Sequence, residues 1–590
     1  MAHTLTNQEV AELFETMAAA LEILKKNLFR IRAYDRAAAS IRQTNQSLFQ
    51  LWQEENLDSI PGLGDTFIGY LDELFRTGKV KHFQEILAKV PPAVPDLMKL
   101  EGVGPKTAQA LAAEFDLPRG PAGYKKLKKV AQQGKIQNLP GFGEKSEQEI
   151  LDALANVTSD EKRLLLATAL PIAEDVISYL TTSPDVLEAM SLGSLRRRAP
   201  TVGDIDIGVK TDKPDLVMEH LLKYSGIRQV LATGSKSTSF RHQTGLQVDV
   251  KTQSPDRWGS MLQHFTGSKQ HNIHLRTLAL QQGYSMSEYG LKTEQEESLS
   301  FEDEVNLYNQ LGLVFIPPEL REDRGEIASA QKGKLPNLVD LKDICGDLHM
   351  HCNLDIPTSH DRGANSVEEL LDKALQKGYD YIAITDHNPP RRGLTAKERL
   401  EVTRVRRTQI QEAYLRWQDE QDRVVQLLIG YEVDITADGS LALEDDVLAE
   451  LDFAIASIHT SHKQPQETMT ERILTALNHP KVRILGHPTG RLLLSRAGIE
   501  ADWPAIFEFC AKHNKFVEIN ASPDRLDLPA GLQRIAHEHK VKFVINTDTH
   551  YVNNMDLMRY GVWTARRGWT AKNEVLNTRN WADVKQALTG

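Results

Sequence analysis

The sequence predicts a protein of several domains: a helical N-terminal region, an α/β middle region and a C-terminal barrel built from repeated βα units. Three observations predict this order. The chain has 590 residues, enough for about four domains of roughly 150 residues each. Residues 1–160 carry apolar side chains at helical spacing, and β-branched, strand-like runs begin near Ser159. After Asp340, seven short apolar runs alternate with helical patterns, as the strands and helices of a parallel sheet do.

Composition narrows the class of protein. The hydrophobic fraction is 41% and the charged fraction 26%, both ordinary for a soluble globular protein. A net charge of −11 excludes a protein that wraps nucleic acid by bulk positive charge, although local phosphate binding stays open. Three cysteines exclude a disulfide framework and fit a reducing compartment. The N-terminus is polar and acidic, and no run approaches the roughly 18 apolar residues of a membrane span. We therefore expect a cytoplasmic protein.

A Gly-x-Gly pattern occurs three times in the helical region, in IPGLGDT, LEGVGPKT and LPGFGEKS, at intervals of about 40 residues. Paired glycines let a backbone approach a ligand closely. The helix that follows each pair offers free N–H groups and a positive dipole end. This combination predicts binding of DNA phosphates without sequence reading. The candidate DNA-binding residues are Gly62, Gly64, Gly102, Gly104, Lys106, Gly141, Gly143 and Lys145.

A group of acidic residues marks the α/β region. Asp204 and Asp206 alternate along a predicted strand, so both side chains face one side of it. Asp249 follows on another predicted strand, in LQVDVKT. Three carboxylates suit two Mg²⁺ or Mn²⁺ ions, which stabilise the attacking and leaving oxygens of an in-line displacement. The Gly193-Ser194 turn and the arginines after it are suited to hold a triphosphate.

The C-terminal region carries histidines and acids where its predicted strands end, and such strand ends form the active sites of barrels. Mixed histidine and carboxylate ligands suit Mn²⁺, Zn²⁺ or Fe. Several such ions together activate water and hold a phosphate, which predicts a phosphoesterase. The candidate ligands are His349, His351, His387, Glu432, His459, His487, Asp548 and His550.

These motifs carry a resemblance to known families. GSLRRRAPTVGDIDIGV and the segment His264–Leu291 resemble the family X DNA polymerases, over about residues 5–330. The C-terminal region resembles the PHP (polymerase and histidinol phosphatase) domain, over about residues 341–575. The whole chain is thus similar to the bacterial family X polymerases, which carry a PHP domain after a linker.

The resemblance implies a division of the chain and a fold for each part. It implies a helix-hairpin-helix, 8-kDa-like DNA-binding domain and then helical fingers with two further helix-hairpin-helix motifs. A nucleotidyltransferase palm with thumb follows, then a proline- and charge-rich linker, and last a PHP metallo-phosphoesterase domain. That last domain is expected to be a distorted (βα)₇ barrel holding up to three metal ions. The expected boundaries are 1–82, 83–157, 158–313, 314–340 and 341–590.

The resemblance also implies roles for single residues. Asp204, Asp206 and Asp249 would be the catalytic, metal-binding acids, and Asp249 would also act on the primer 3′-hydroxyl. Gly193, Ser194 and Arg197 would bind the triphosphate. Phe265 and Gly267 would contact the incoming sugar, and Asn272 and Arg276 would contact the base pair and template. Arg30 would bind a 5′-phosphate.

The chain departs from the family pattern at three places. His264 stands where a tyrosine often occurs, which leaves sugar selectivity open. Tyr70 stands where the family's lyase has its lysine, so we expect lyase activity to be weak or absent, because a Schiff-base nucleophile is missing. Arg362 stands before Gly363 where the PHP family has a metal-binding aspartate. The candidates to replace that aspartate are Asp355, His360 and Asp361. Cys352 is either a thiolate ligand or a buried small residue, and His462 is a candidate to support the ligands.

The sequence therefore predicts a monomeric DNA-repair polymerase that adds a deoxynucleotide from a dNTP to a primer 3′-hydroxyl at short gaps. Its PHP domain is expected to supply a 3′–5′ exonuclease that processes 3′ ends. Three alternatives remain. In the first, the palm is inactive and the protein is mainly a PHP nuclease or phosphatase. In the second, the protein only binds or bridges DNA ends. In the third, it is a nucleotidyltransferase that acts on RNA.

Overall fold

The computed structural model describes residues 7–43, 48–53, 57–60, 63–98, 100, 103–160 and 163–590. The chain divides into two compact units, Met1–Lys162 and Arg163–Gly590. This division lies a few residues from the predicted boundary at 157. No helix in the described ranges has the length and apolarity needed to cross a membrane.

The described part of the first unit is helical. One continuous apolar core runs from Val10 to Leu154, so the two domains predicted on either side of residue 82 share their interior. The helices are α1 (Asn7–Ile23), α2 (Leu28–Gln43), α3 (Leu48–Gln53), α4 (Asp65–Thr77), α5 (Lys81–Leu87), α6 (Val94–Leu97), α7 (Pro105–Glu114), α8 (Pro121–Gln132) and α9 (Glu144–Asp160), with a 3₁₀ turn at Leu57–Ser59.

The second unit begins with a five-stranded sheet in the order β2-β4-β7-β6-β5. Neighbouring strands are antiparallel except β4 and β7, which are parallel. One face of this sheet is apolar and packs against α10 and α12, because Ile205, Ile207 and Val209 alternate with the polar positions of β4. The elements are β1 (Leu164–Leu165), α10 (Leu166–Leu180), β2 (Glu188–Ser191), α11 (Gly193–Arg196), β3 (Thr201–Val202), β4 (Ile205–Lys210), α12 (Pro214–Leu221), β5 (Ile227–Thr233), β6 (Ser237–His242) and β7 (Gln247–Gln253).

A smaller helical and β region follows, and it includes the predicted linker. Residues 314–340 are packed rather than solvated: Ile316, Leu320 and Ile327 belong to the core of this region. The charges that suggested a linker are partly buried and paired, as in the ion pair between Arg321 Nη1 and Glu304 Oε1 at 2.6 Å. The elements are α13 (Trp258–Thr266), α14 (Lys269–Gln281), β8 (Tyr284–Ser287), β9 (Gly290–Thr293), β10 (Ser298–Leu299), α15 (Glu304–Gln310) and α16 (Glu326–Gln331), with 3₁₀ turns at Pro255–Arg257 and Pro318–Leu320.

The C-terminal region is a barrel of parallel strands. Two sheets, β11-β12-β13 and β14-β15-β16-β17-β18, run parallel throughout. β13 and β14 form one strand interrupted at Gly430, and a parallel bridge between His387 and Glu432 continues the pairing across the gap. A bridge between Met350 and Thr549 closes the ring. Seven strand positions thus enclose an apolar interior, which confirms the predicted distorted (βα)₇ barrel.

Helices cover the outside of the barrel, and α24 closes its lower end through Val584 and Leu588. The barrel elements are β11 (Gly346–Asp347), α17 (Val367–Gln376), β12 (Tyr381–Ile384), α18 (Ala396–Asp419), β13 (Gln426–Ile429), β14 (Tyr431–Asp434), α19 (Asp445–Ala449), β15 (Ala454–Ser457), α20 (Gln466–Leu477), β16 (Val482–Leu485), α21 (Trp503–Lys512), β17 (Phe516–Asn520), α22 (Ala530–Glu538), β18 (Lys542–Asn546), α23 (Met558–Arg567) and α24 (Trp581–Thr589), with 3₁₀ turns at Leu341–Asp343, Val552–Leu557, Lys572–Glu574 and Leu576–Thr578.

Candidate active sites in the palm and the barrel

The three acids of the α/β region meet on its sheet. Asp206 on β4 and Asp249 on β7 are direct register partners on adjacent parallel strands. Asp204 lies two residues before Asp206, just ahead of β4. Burial raises the pKa of Asp206, and the charges of Asp204 and Asp249 raise it further, against the opposing charge of Lys251. Repulsion between three neighbouring carboxylates is relieved when a divalent cation binds between them. These residues therefore fit such an ion.

Lys251 is a member of this site that sequence reasoning missed. Its Nζ lies 3.3 Å from Asp206 Oδ1 and 4.9 Å from the Phe265 ring centroid. The signal was present, because alternation along β7 places Lys251 on the same face as Asp249. Ser239 Oγ and Gln247 Nε2 donate hydrogen bonds to Asp249, and these fix the carboxylate in place.

Two glycines let the backbone come close to the acids and to Arg197. At Gly193 φ is +56°, and an added Cβ would lie 2.5 Å from Asp206 Oδ2. At Gly267 φ is +68°, and an added Cβ would lie 3.1 Å from Arg197 Nη1. Both positions therefore require glycine. Ser194 lies in the first turn of α11, directly after Gly193.

The three consecutive arginines have different surroundings. Arg196 is paired with Glu304 at 2.6 Å, which makes it part of the protein interior. Arg198 stacks 4.1 Å above the Trp563 ring of α23. Arg197 faces Glu322, with Nε 3.1 Å from Oε1, and its Nη1 donates a hydrogen bond of 2.5 Å to the Thr266 carbonyl. A triphosphate at Arg197 would therefore have to compete with Glu322.

Arg567 of the barrel helix α23 contacts the same carboxylate. Its Nη2 lies 3.0 Å from Glu322 Oε1, and its Nη1 donates to the Arg197 carbonyl. Glu322 thus lies between two guanidinium groups, one from the palm and one from the barrel. Leu526 and Tyr560, both from the barrel, also belong to the apolar core of the palm. The sequence contained no signal for this connection.

The remaining nucleotide-site candidates cluster on α13 and α14. Asn272 accepts a 2.8 Å hydrogen bond from Gln263 and donates one of 2.7 Å to the His264 carbonyl. An Arg276 nitrogen lies 3.2 Å from His264 Nδ1. Asn272 therefore holds these two helices together, and the His264 ring is directed by Arg276.

The barrel gathers a second and larger set of ligands around Glu432. Its Oε1 lies 2.8 Å from His487 Nε2 and 3.2 Å from His459 Nε2. Its Oε2 lies 3.0 Å from His387 Nδ1 and 3.3 Å from His349 Nε2. Four groups each have donor atoms within 4.8 Å of one another: His349, His351, Glu432 and Asp548; Glu432, His459 and His487; His351, His387 and His550; and His360, His387 and His459. All eight predicted barrel residues therefore come together.

Several of these donor atoms lack hydrogen bonds within the described part of the chain, which is a reason to expect metal ions between them. His349 Nε2, His387 Nδ1, His550 Nε2 and Glu432 Oε2 are buried, and the charged groups near them do not form hydrogen bonds of suitable geometry with them. Orphaned buried polar atoms are costly. Four of them directed into one cluster indicate that ions complete it, and nitrogen with oxygen donors suit Mn²⁺, Zn²⁺ or Fe.

The structure separates the three candidates for the missing aspartate. Asp361 Oδ1 lies 3.6 Å from His387 Nε2, and its Oδ2 lies 3.5 Å from His550 Nε2. His360 belongs to the donor group with His387 and His459, and its Nε2 lies 2.9 Å from Asp434 Oδ1. Asp355 has a fully exposed side chain and is paired with Arg362 at 2.7 Å. Only Asp361 among these acids reaches the ligands.

A supporting layer orients the ligands. Glu518 Oε1 lies 2.8 Å from His349 Nδ1, which directs His349 Nε2 towards Glu432. Asp434 Oδ1 lies 2.6 Å from His459 Nδ1. Burial alone would lower the pKa of His349, but the carboxylates around it, Glu518 foremost, raise it. Sequence reasoning missed Glu518, although a charged residue within the buried strand KFVEIN was a signal for it.

Two further candidates lie outside the donor groups. Cys352 is buried, and its Sγ lies 3.2 Å from Asp386 Oδ2, which also binds Arg406. It is therefore a small buried side chain. The His462 ring would lie 3.2 Å from a Cβ added at Gly490. His462 belongs to none of the four donor groups.

The glycine loops of the first unit are open on one side. Gly64 and Gly104 are the N-cap residues of α4 and α7, and Gly143 directly precedes α9. A Cβ added at Gly64, Gly104, Gly141 or Gly143 would meet no atom within 4 Å. At Gly141 the φ of +85° itself favours glycine. Internal packing does not account for Gly64, Gly104 and Gly143, where the space is available to a ligand. Gly62 and Gly102 lie outside the described residues.

Basic side chains accompany two of these loops. Lys106 and Lys145 are 83% and 90% exposed. The second and third loops line one cleft of about 320 Å³, to which Lys106 and Gly141 contribute. Arg30 lies 2.7 Å from His82 Nε2, and the Tyr70 ring stacks on the other side of that histidine at 5.3 Å. Tyr70 thus packs in an aromatic cluster.

Comparisons with known proteins agree with this layout. Residues 5–80 match a helix-hairpin-helix domain, 94–156 a SAM-like helix-hairpin-helix tandem, 261–322 the DNA polymerase beta thumb and 347–522 the PHP domain. A probable phosphatase of Thermoanaerobacter sp. (strain X514) is 25% identical over 242 residues, which is 39% of this chain and 89% of that protein. The DNA polymerase/3′-5′ exonuclease PolX of Bacillus subtilis (strain 168) is 36% identical over 589 residues, which is 98% of this chain and 99% of that protein. The chain therefore belongs to the bacterial family X DNA polymerases that carry a PHP domain.

Proposed function

We propose that this protein is a DNA polymerase with an associated 3′–5′ exonuclease, each activity having its own site. The observation that carries the proposal is the presence of two separate donor clusters. One is the register pair Asp206 and Asp249 with Asp204, and the other is the ligand set around Glu432 in the barrel. The proposed substrates are a dNTP and a primer at a short gap for the palm, and a DNA 3′ end for the barrel.

In the palm, Asp204, Asp206 and Asp249 would hold Mg²⁺ or Mn²⁺, which when bound supply charge stabilisation for an in-line displacement. The protein's own groups position the reactants. The backbone at Gly193 and Ser194 offers N–H groups to the triphosphate, and Arg197 supplies a cation once Glu322 is displaced. Asp249, held by Ser239 and Gln247, is placed to accept a hydrogen bond from the primer 3′-hydroxyl. Phe265 and Gly267 would face the sugar, with Asn272 and Arg276 near the base pair.

In the barrel, the eight predicted ligands and Asp361 would hold Mn²⁺, Zn²⁺ or Fe, which when bound activate water and polarise the phosphodiester. Glu518 and Asp434 fix the orientation of His349 and His459, so that the ligand geometry does not depend on the substrate.

The glycine loops would hold the phosphate backbone of DNA through exposed N–H groups at Gly64, Gly104 and Gly143, with Lys106 and Lys145 beside them. We propose that the protein acts as a monomer in the cytoplasm, a compartment that suits its free cysteines.

The test uses a labelled primer on a duplex with a one-nucleotide gap, with Mg²⁺ or Mn²⁺, in the presence and absence of dNTPs. The variants are Asp204→Ala/Asp206→Ala and His349→Ala/His351→Ala. We expect the aspartate variant to lose only primer extension and the histidine variant to lose only primer shortening. Loss of both activities in either variant would contradict separate sites.

A second candidate function is a PHP hydrolase with an inactive palm. It is favoured by the pairing of Asp206 with Lys251, which would hinder metal binding if it persisted. Shortening of the primer without any extension by the wild-type protein, in all metal conditions, would select this candidate.

A further inference from the structure

A cavity of about 570 Å³ lies at the end of the barrel opposite the ligand cluster. It is bounded by the beginnings of β17 and β18 and by α24, so it is distinct from the sites described above. We call it the basal cavity. Its charged lining residues are Arg483, Lys515, Lys540, Lys542, Arg579 and Asp583.

The lining carries an excess of positive charge. Lys540, Lys542 and Arg579 form no ion pair in the part of the chain that the structure describes. The charge of Lys542 lowers the pKa of Glu574, but the Glu574 carboxylate is hydrogen-bonded to His537 and not to Lys542. The carboxylate of Asp583 accepts from the Asn580 amide. Five cations around one carboxylate repel each other, and an anion between them would relieve that repulsion.

Two of the cations are held deep in the wall of the cavity. Through its terminal nitrogens, Arg483 donates to the Ala587 carbonyl and to an oxygen of Gly590, the last residue of the sequence. Lys515 is only 6% exposed and donates to the His479 and Val482 carbonyls. Burial lowers the pKa of Lys515 to about 8. Both side chains thus place positive charge in the wall of the cavity.

We propose that the basal cavity binds a small polyphosphate anion, either free or as the phosphate arm of a nucleotide. Several cations converging on one cavity match the charge of such an anion, and the volume lies in the range of small-ligand sites. The exposed part of the lining contains no aromatic ring on which a base could stack, because Phe516 is buried. Recognition thus rests on the phosphates.

The test is calorimetric titration of the full-length protein with pyrophosphate, without added divalent metal. The test variant is Lys542→Gln/Arg579→Gln. The matched control is Lys585→Gln, which removes an exposed cation from α24 outside the cavity lining. We expect the wild type and the control to bind equally, and the test variant to lose one binding event or weaken it at least tenfold. Exonuclease and extension rates should be the same in all three proteins.

Equal pyrophosphate binding by all three proteins would overturn the proposal. A single-stranded oligonucleotide and a dNTP are titrated in parallel. A loss for pyrophosphate and dNTP supports the proposal, whereas a loss for the oligonucleotide alone would assign the cavity to the DNA backbone and overturn it. If the double variant does not fold, Lys540→Gln at an exposed position takes its place, with an expected weakening of about threefold.

Discussion

The palm and barrel sites both place carboxylates at parallel strands, but the barrel adds the six predicted histidine ligands, and the two sites differ in how they are assembled. The palm draws its acids from two neighbouring strands, with Asp206 and Asp249 directly opposite each other. The barrel joins residues as distant as His351 and Asp548, which are 197 positions apart. In the palm, Lys251 and Asp206 are 30% and 24% exposed, whereas His349 and Glu432 are at most 1% exposed.

This difference indicates how each site holds its ions. The palm compensates part of its negative charge internally through Lys251, so we expect a metal ion there to enter and leave with the substrate. The barrel leaves buried nitrogen and oxygen atoms without hydrogen-bond partners among the described residues, so we expect its ions to contribute to folding.

Asp206→Asn should reduce primer extension by about 10³-fold, since it removes a charged ligand from the centre of the palm acids. The rate of primer shortening should not change. Single-turnover extension with saturating dNTP measures the effect. Asp212→Asn, which alters an exposed acid after β4, is the control and should behave as wild type. A parallel loss of shortening would show that the sites are not independent.

Glu432→Gln should reduce primer shortening by about 10²-fold, because this carboxylate reaches four histidines. It should also lower the metal content of the purified protein, measured by elemental analysis. Glu467→Gln on the exposed start of α20 is the control. Full metal content together with lost shortening would contradict the ligand role of Glu432.

Arg567→Gln should raise the KM for dNTP about tenfold, equivalent to about 1.4 kcal/mol, with little change in shortening. Without Arg567, Glu322 interacts with Arg197 alone and competes more strongly with the triphosphate. Steady-state gap filling measures KM and kcat separately. Adding Glu322→Gln should restore the KM, which a general loss of folding would not do. An unchanged KM in Arg567→Gln would remove the barrel from nucleotide binding.

Treatment with a chelator should lower the melting temperature by a few degrees, because ions that bind only the folded barrel stabilise it. The shift should be absent in His349→Ala/His351→Ala and present in Asp204→Ala/Asp206→Ala. Thermal unfolding followed by circular dichroism provides the measurement. If the chelator shifted the melting temperature of the histidine variant but not of the aspartate variant, the stabilising ions would belong to the palm and not to the barrel.

Local periodicity explains why so much of both sites could be predicted. Alternation predicts Asp204 and Asp206 on one side of a strand, although in the structure Asp204 lies just ahead of β4. Strand-end positions bring the eight barrel candidates together. The same reasoning could have found Lys251, which lies two residues after Asp249 on β7, and Glu518, which is a charged residue within the buried strand β17. It could not have shown that residues 314–340 pack as a core, since buried ion pairs such as Arg321 with Glu304 look like solvated charge in a sequence.

The order of the domains, the residue types of both candidate sites and the glycine loops follow from the sequence, because each depends on short-range spacing. Packing of a loop without regular structure separates Asp355, which pairs with Arg362, from His360 and Asp361, which lie beside the ligand histidines. The tertiary structure also decided that Arg567 meets Glu322, and that cations far apart in the chain converge on the basal cavity. Such contacts depend on how the elements pack, and no local period encodes them.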